Sequence, residues 1–167
     1  MDPIWFNKNL QFSDLGQLSP NTMGSHLGME WLGLGPNFIQ MKMPVDDRTH
    51  QPYGLLHGGA SCALAETVGS VASFLVIDNS QFLCVGLEIN ANHIRSIRSG
   101  WVIATAEPLH LGSSTHVWDI KIKNEEGKLI YKLCEQMPEY PGGMEELFKF
   151  LGQNIQYPPV AKGERSE

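Results

Sequence analysis

Residues 60–77, ASCALAETVGSVASFLVI, constrain the fold more than any other part of the chain. The run is apolar enough to be buried, yet its bulk comes from alanine, serine and glycine. A helix made of such residues lets other backbones approach closely, as happens when a sheet wraps around it rather than lying along one side. Glycine inside a helix costs roughly 1 kcal/mol relative to alanine, so Gly69 calls for a packing reason. Glu66, with the hydroxyls and glycines around it, makes the run a poor membrane span.

The flanking segments read as strands. Beyond the Asp78-Asn79-Ser80 turn come four stretches: 82–95, 101–111 broken at Pro108, 115–124 and 128–137. The third alternates cleanly, His116, Trp118, Ile120 and Ile122 against Asp119, Lys121 and Lys123, which marks a half-buried strand. Glu125-Glu126-Gly127 turns it into the fourth. Ahead of the helix, residues 4–18 suit a short lead-in helix before Ser19-Pro20-Asn21, residues 29–45 suit a strand ending at Pro44, and 46–54 form a polar loop. This order predicts an α+β domain, one antiparallel sheet around a central helix, over residues 1–137. A length of 167 residues fits one domain. From Pro138 the composition shifts, and residues 138–167 read as a tail with a short helix over 144–154 presenting Leu147, Phe148 and Leu151 on one face.

Charge and cysteine usage narrow the function. Lys and Arg number 12 against 18 Asp and Glu, a formal charge of −6, which argues against a general nucleic-acid binder. Cys62, Cys84 and Cys134 are odd in number and far apart, so neither a disulfide framework nor a zinc site is suggested. The spacings of His50, His57, His93, His110 and His116 match no zinc pattern, and no metal or cofactor is expected. Residues 1–16 carry Asp2, Lys8 and Asp14 among apolar residues, unlike a secretory signal. A soluble cytoplasmic protein with no membrane partner is expected.

The residues that carry chemistry surround the start of the helix. If it begins near Gly58, its first N–H groups are unpaired and sit at the positive end of the helix dipole, ready for an oxyanion or a polarised carbonyl. Gly58 and Gly59 let a substrate approach that backbone. Glu66 lies eight residues on, about 12 Å along the axis at roughly 1.5 Å per residue, so one chain cannot set its own Glu66 beside its own helix start. If the two cooperate, the solution is a symmetric dimer sharing its sites. Gln51 and His57 are placed to orient water or the carbonyl, and Ser70, at i+4, to hydrogen-bond Glu66. Read singly, Glu66 also suits a solvated helix face and His57 a helix cap. His93, Arg95 and Arg98 make a compact basic cluster suited to a phosphate-bearing ligand, or an exposed strand end. His110-Leu111-Gly112-Ser113-Ser114 suits a loop donating N–H groups to phosphate, or an ordinary connection.

Three motifs in order, RTHQPYGLLHGGASCALAETVGSVA (48–72), VGLEINANHIRS (85–96) and PLHLGSS (108–114), followed by VWDIKI, resemble the hotdog-fold acyl-CoA thioesterases. Within that family they are most similar to the branch acting on aroyl thioesters, which includes 1,4-dihydroxy-2-naphthoyl-CoA hydrolase of menaquinone synthesis and the proofreading thioesterase of enterobactin synthesis. The resemblance implies a hotdog fold, a double-hotdog dimer with sites at its interface, and commonly a homotetramer. It implies Glu66 as the catalytic carboxylate, acting as nucleophile or as general base. Gly58 and Gln51 would polarise the thioester carbonyl, His57 would position them, and Ser70 would orient water or Glu66. Gly86, His93, Ile94, Arg95, Ser96, His110, Leu111, Gly112, Ser113, Ser114 and Thr115 would hold the CoA portion. The family usually closes with a strand containing Ser-Arg-Leu-Thr, where this chain has Lys132-Leu133-Cys134-Glu135-Gln136-Met137. The stretch PEYPGGMEELFKFLGQNIQYP is similar to the opening of a TonB-type C-terminal domain whose later strands are absent.

The resulting expectation is a metal-free thioesterase cleaving an aroyl-CoA, 1,4-dihydroxy-2-naphthoyl-CoA foremost, to the acid and CoA. Its alternatives are a broad-specificity acyl-CoA thioesterase, a hydratase or dehydratase on acyl thioesters, and a non-catalytic module binding acyl-CoA or a protein.

Overall fold

A computed structural model describes residues 2–141. A 3-10 turn, Phe12–Leu18, and a one-turn helix α1 (Met23–His26) precede a hairpin of β1 (Glu30–Leu34) and β2 (Ile39–Pro44). A two-residue ribbon, β3 (His50–Gln51) and β4 (Leu55–Leu56), leads into the long helix α2 (Gly58–Val76). Then come β5 (Phe82–Cys84), β6 (Glu88–His93), β7 (Trp101–Leu111), β8 (Thr115–Asn124) and β9 (Leu129–Pro141). The antiparallel sheet runs β1-β2-β7-β8-β9, with β5 and β6 both pairing the far side of β9. Its strands curl around α2, which is the hotdog arrangement.

The helix and the sheet meet through small residues on one side and branched or sulfur-bearing ones on the other. Leu64, Ala65, Val68 and Ala72 of α2 are fully buried against Ile39 and Met43 of β2, Val102 and Ala104 of β7, and Ile120 and Ile122 of β8. Gly69 lies on that same buried face, which is the packing reason its helix cost required. Burial of each larger side chain contributes about 1.5–3 kcal/mol. By length and a mean hydropathy of 1.4, α2 is a helix that can cross a membrane, more so than its sequence suggested, but its apolar stripe is occupied by the sheet. One polar link crosses the core: the Trp118 indole N–H donates to Ser73 Oγ at 2.7 Å, both residues fully buried.

Several boundaries differ from the sequence reading, each for a local reason. Residues 4–11 are not helical; the Ile4 and Phe6 N–H groups donate to Pro36 and Leu75 carbonyls instead, so the segment straps across the hairpin turn and the end of α2, with Trp5 buried beneath it. Residues 29–45 form two strands rather than one, because Gly35-Pro36-Asn37 is a turn, closed by the Gly35 N–H to Phe38 C=O bond. The 82–95 strand is interrupted between Cys84 and Glu88, around Gly86. Pro108 does not break β7; the register shifts between Pro108 and His110, a bulge that leaves Leu109 64% exposed.

β9 continues past position 137 to Pro141, where it pairs with β5. The departure at 132–137 does not disturb the sheet: Leu133 faces the core, and the strand pairs β8 on one side and β6 on the other. The first four residues of the TonB-like stretch, 138–141, are the end of β9; the rest of it and the tail helix at 144–154 lie outside the described residues.

Two stability predictions follow from the core. Ser73→Ala leaves a buried indole N–H without its acceptor and should cost about 1–3 kcal/mol in urea unfolding, whereas Ser80→Ala, at an exposed turn, should cost less. His116 is 3% exposed on the inner face of β8, and among the described residues its Nδ1 has no hydrogen-bond partner. Burial, aided by nearby His110, holds its pKa below the usual imidazole range. Below the ordinary imidazole pKa of about 6.5 the unfolded chain therefore takes a proton that the native state refuses. Unfolding midpoints should fall on going from pH 7.5 to pH 5.5, and the fall should be smaller in His116→Leu.

Candidate active site

α2 begins at His57, whose extended backbone and imidazole form its cap: Nδ1 accepts the Gly59 N–H at 2.8 Å. That bond leaves the ring's proton on Nε2. Among the described residues the Gly58 N–H has no acceptor, so it remains at the positive helix end. Gly58 is glycine because the His93 ring lies against it; a Cβ would stand 2.5 Å from His93 Cε1. Tyr131 holds that ring edge-on, 4.7 Å between centroids at 83°.

Gln51 is positioned by the β3–β4 ribbon. Its Oε1 accepts the Tyr53 N–H at 2.8 Å, which turns the amide NH2 outward as a donor. Gln51, Gly58, His93, Ile94, Arg95, Ser96 and Tyr131 line one open cleft of about 460 Å³. Arg95 gives one donor to the Leu129 carbonyl at 2.8 Å and keeps the rest of its guanidinium exposed. Arg98 is committed to structure: it donates to Tyr53 C=O, while its own carbonyl meets His50 Nε2.

Glu66 sits elsewhere, two turns along the helix and about 12 Å from Gly58. Ser70 Oγ donates to Glu66 Oε1 at 3.2 Å, the i+4 contact the sequence implied. The carboxylate lies against Gly86, and any Cβ there would collide with Oε1; this explains the glycine between β5 and β6. Glu66 and Ser70 open into a second cleft of about 300 Å³.

One chain thus separates most of the sequence-derived site residues into two groups and leaves His57 and residues 110–115 outside both. Gln51, Gly58 and His93–Ser96 lie at the helix start, and Glu66, Ser70 and Gly86 lie further along. His57 faces a third cleft, shared with Arg48 and His50. Residues 110–115 form the tip of the β7–β8 hairpin and line none of these clefts. Tyr131, which fixes His93, carried no sequence signal beyond its place in a strand.

A sheet wrapped around a long central helix is the hotdog fold. Residues 53–131 match the family model of the thioesterase superfamily. A relative from Pseudomonas aeruginosa is 53% identical over 121 residues, 71% of this chain and 83% of its own length. A crystal structure of a Gln→Ala mutant thioesterase from that organism is similar with a TM-score of 0.80 at 45% identity, covering 83% of this chain and 99% of that one. A Haemophilus influenzae thioesterase, class EC 3.1.2.-, gives 0.78 at 45% identity, covering 83% and 95%. A Staphylococcus aureus thioesterase, solved as Glu→Ala and Gln→Ala mutants, gives 0.70 and 0.69 at 45% and 44% identity, covering about 72% of this chain and nearly all of its own. The chain belongs to the thioesterase superfamily, and it is a thioester hydrolase.

Gly58→Ala tests the geometry directly. The new methyl should displace the His93 ring while the fold is kept, seen by NMR as loss of the Tyr131 ring-current shift on the His93 ring protons with most amide resonances unmoved.

Proposed function

We propose that this chain hydrolyses an aroyl-CoA, 1,4-dihydroxy-2-naphthoyl-CoA foremost, to the free acid and CoA, in sites shared between two copies of the chain. The observation that carries the reading is the separation of donors and carboxylate into two clefts of one chain. β6 supplies the means of joining them: it is an edge strand of the sheet, paired only with β9 among the described residues, and Leu87 and Ile94 at its ends are 62% and 45% exposed. Two such edges pairing antiparallel about a two-fold near Asn90 and Ala91 set His93 of one chain opposite the partner's Glu88. Gly58, beside His93, then approaches the partner's Gly86, and with it the partner's Glu66. A two-fold makes both sites alike. Pairing of two dimers gives the homotetramer that the family resemblance implies, in a cytoplasmic setting.

In the joined site the thioester carbonyl oxygen accepts from the Gly58 N–H and the Gln51 amide, which stabilises negative charge as the carbonyl carbon becomes tetrahedral. The partner's Glu66, oriented by Ser70, either attacks that carbon or takes a proton from the water that does. On the first route the C–S bond breaks as a mixed anhydride forms on Glu66, which water then hydrolyses to the acid and free Glu66. On the second the water oxygen passes directly to the acid as the C–S bond breaks, and on both the departing CoA thiolate takes up a proton and leaves as the thiol. Arg95, His93 and Ser96 present positive and hydrogen-bonding groups to the CoA phosphates, and the 110–115 loop offers backbone donors to the same portion. The two residue types mutated in the S. aureus thioesterase, glutamine and glutamate, stand fifteen positions apart, as Gln51 and Glu66 do. The aroyl preference and the link to menaquinone synthesis rest on the family resemblance.

Thiol release from naphthoyl-, benzoyl- and straight-chain acyl-CoA tests the reading. Glu66→Gln should abolish release, and Gln51→Ala should lower kcat about 10²–10³-fold. Unfolding and remixing these two inactive variants in equal amounts should restore about a quarter of wild-type activity, since half the dimers are mixed and each of those holds one intact site. Mixtures that stay inactive would argue against shared sites; thiol release undiminished in Glu66→Gln would remove Glu66 from the mechanism.

A further inference from the structure

The cleft beside Glu66 is closed on the side away from α2 by a part of the chain outside residues 53–131, the span shared with the family model. Its far wall is Trp31 on β1, with Met41 on β2 and Met23 and Met29 around α1. From this wall we infer that Trp31 determines acyl-group selectivity, the cleft taking a flat aromatic acyl group whose carbonyl end meets Glu66; this rests on the thioesterase reading above.

The hydrogen-bonding groups around the cleft argue for an apolar occupant. The Trp31 indole N–H donates to Ser19 Oγ at 3.0 Å, which fixes the ring as a rigid wall. Thr67 Oγ1 donates to Ala63 C=O at 2.7 Å. Thr22 Oγ1 donates to Ser19 C=O and accepts the Ser25 N–H. With the hydroxyls and the indole engaged internally, the cleft walls offer an incoming group apolar contact, while Glu66 and Ser70 stand at one end. A polar acyl chain would lose water there without gaining partners.

Shape and softness favour a ring. The volume of about 300 Å³ is at the small end of ligand pockets and suits a one- or two-ring acyl group. Three methionines line the cleft with the tryptophan, Met41 as its cross-strand neighbour, and thioether sulfur makes favourable contacts with aromatic edges while adapting to ring size. A ring stacked on Trp31 would meet these sulfurs around its edge. Met23 is 60% exposed and lines both this cleft and the one containing His57, so it stands between the pocket and the helix start.

The test measures binding apart from turnover. Naphthacyl-CoA and decyl-CoA, in which a thioether replaces the thioester, and free CoA are titrated calorimetrically into the wild type, Trp31→Ala, Trp31→Phe and Met23→Ala. Trp31→Ala should weaken naphthacyl-CoA about tenfold or more, and free CoA and decyl-CoA less than threefold. Trp31→Phe, which keeps a ring and loses the Ser19 bond, should fall between. Should Trp31→Ala fail to fold, Met23→Ala, changed at an exposed position, should still weaken naphthacyl-CoA selectively. Equal weakening of all three ligands, an unchanged naphthacyl-CoA affinity, or no preference for the aryl ligand in the wild type would overturn the assignment. Naphthoyl-CoA turnover by the wild type is scored separately: selective binding without thiol release would sink the hydrolase reading and leave the pocket standing, and hydrolysis without a Trp31 effect would do the reverse.

Discussion

The close approach of α2 to the sheet is the constraint on which the rest depends. Ala65, Gly69 and Ala72 let the helix sit deep enough for β2, β7 and β8 to close over it, and Ser73 answers the one indole N–H that this depth buries. A bulkier face would lift the helix, open gaps around Trp118 and cost several kcal/mol in lost contacts. Because the helix is fixed so firmly, its start and its outward carboxylate are held at a fixed separation. The proposed site would inherit that rigidity, since Gly58 and Glu66 are both carried on this central helix.

Two glycines show how backbone and chemistry constrain each other. At Gly58 the His93 ring occupies the space a side chain would need, and the amide there is left open. At Gly86 the Glu66 carboxylate does the same, and the strand pauses between β5 and β6 to make room. These approaches tie β6 to both halves of the site. The strand that forms the open sheet edge therefore also brings a second chain's carboxylate within reach in the proposed dimer. Assembly and catalysis would then share one surface, so a substitution that loosens the edge should lower activity without touching Glu66.

Much of this was legible along the chain. The small-residue run gave the helix, the clean alternation at 115–124 gave β8 at its observed limits, and the i+4 spacing of Glu66 and Ser70 gave their hydrogen bond. Errors fell where a local signal competed with distant contacts. Residues 4–11 have a helical pattern, but their N–H groups are claimed by Pro36 and Leu75. Pro108 reads as a break, yet a bulge absorbs it because neighbouring strands hold both sides. The 29–45 strand hid a hairpin whose Gly35-Pro36-Asn37 turn was visible and outweighed by the apolar run.

The sequence by itself determined the class of fold and singled out the candidate groups of the proposed site, because helix periodicity, turn residues and the eight-residue gap between Gly58 and Glu66 are local quantities set by covalent spacing. Only the tertiary structure decided which of those groups are neighbours. His93 against Gly58, Tyr131 against His93, Glu66 against Gly86, and Trp31 lining one cleft with Glu66 are each made by segments far apart in the chain. Such contacts depend on strand order and on the depth of one helix in a curved sheet, which no stretch of residues encodes alone.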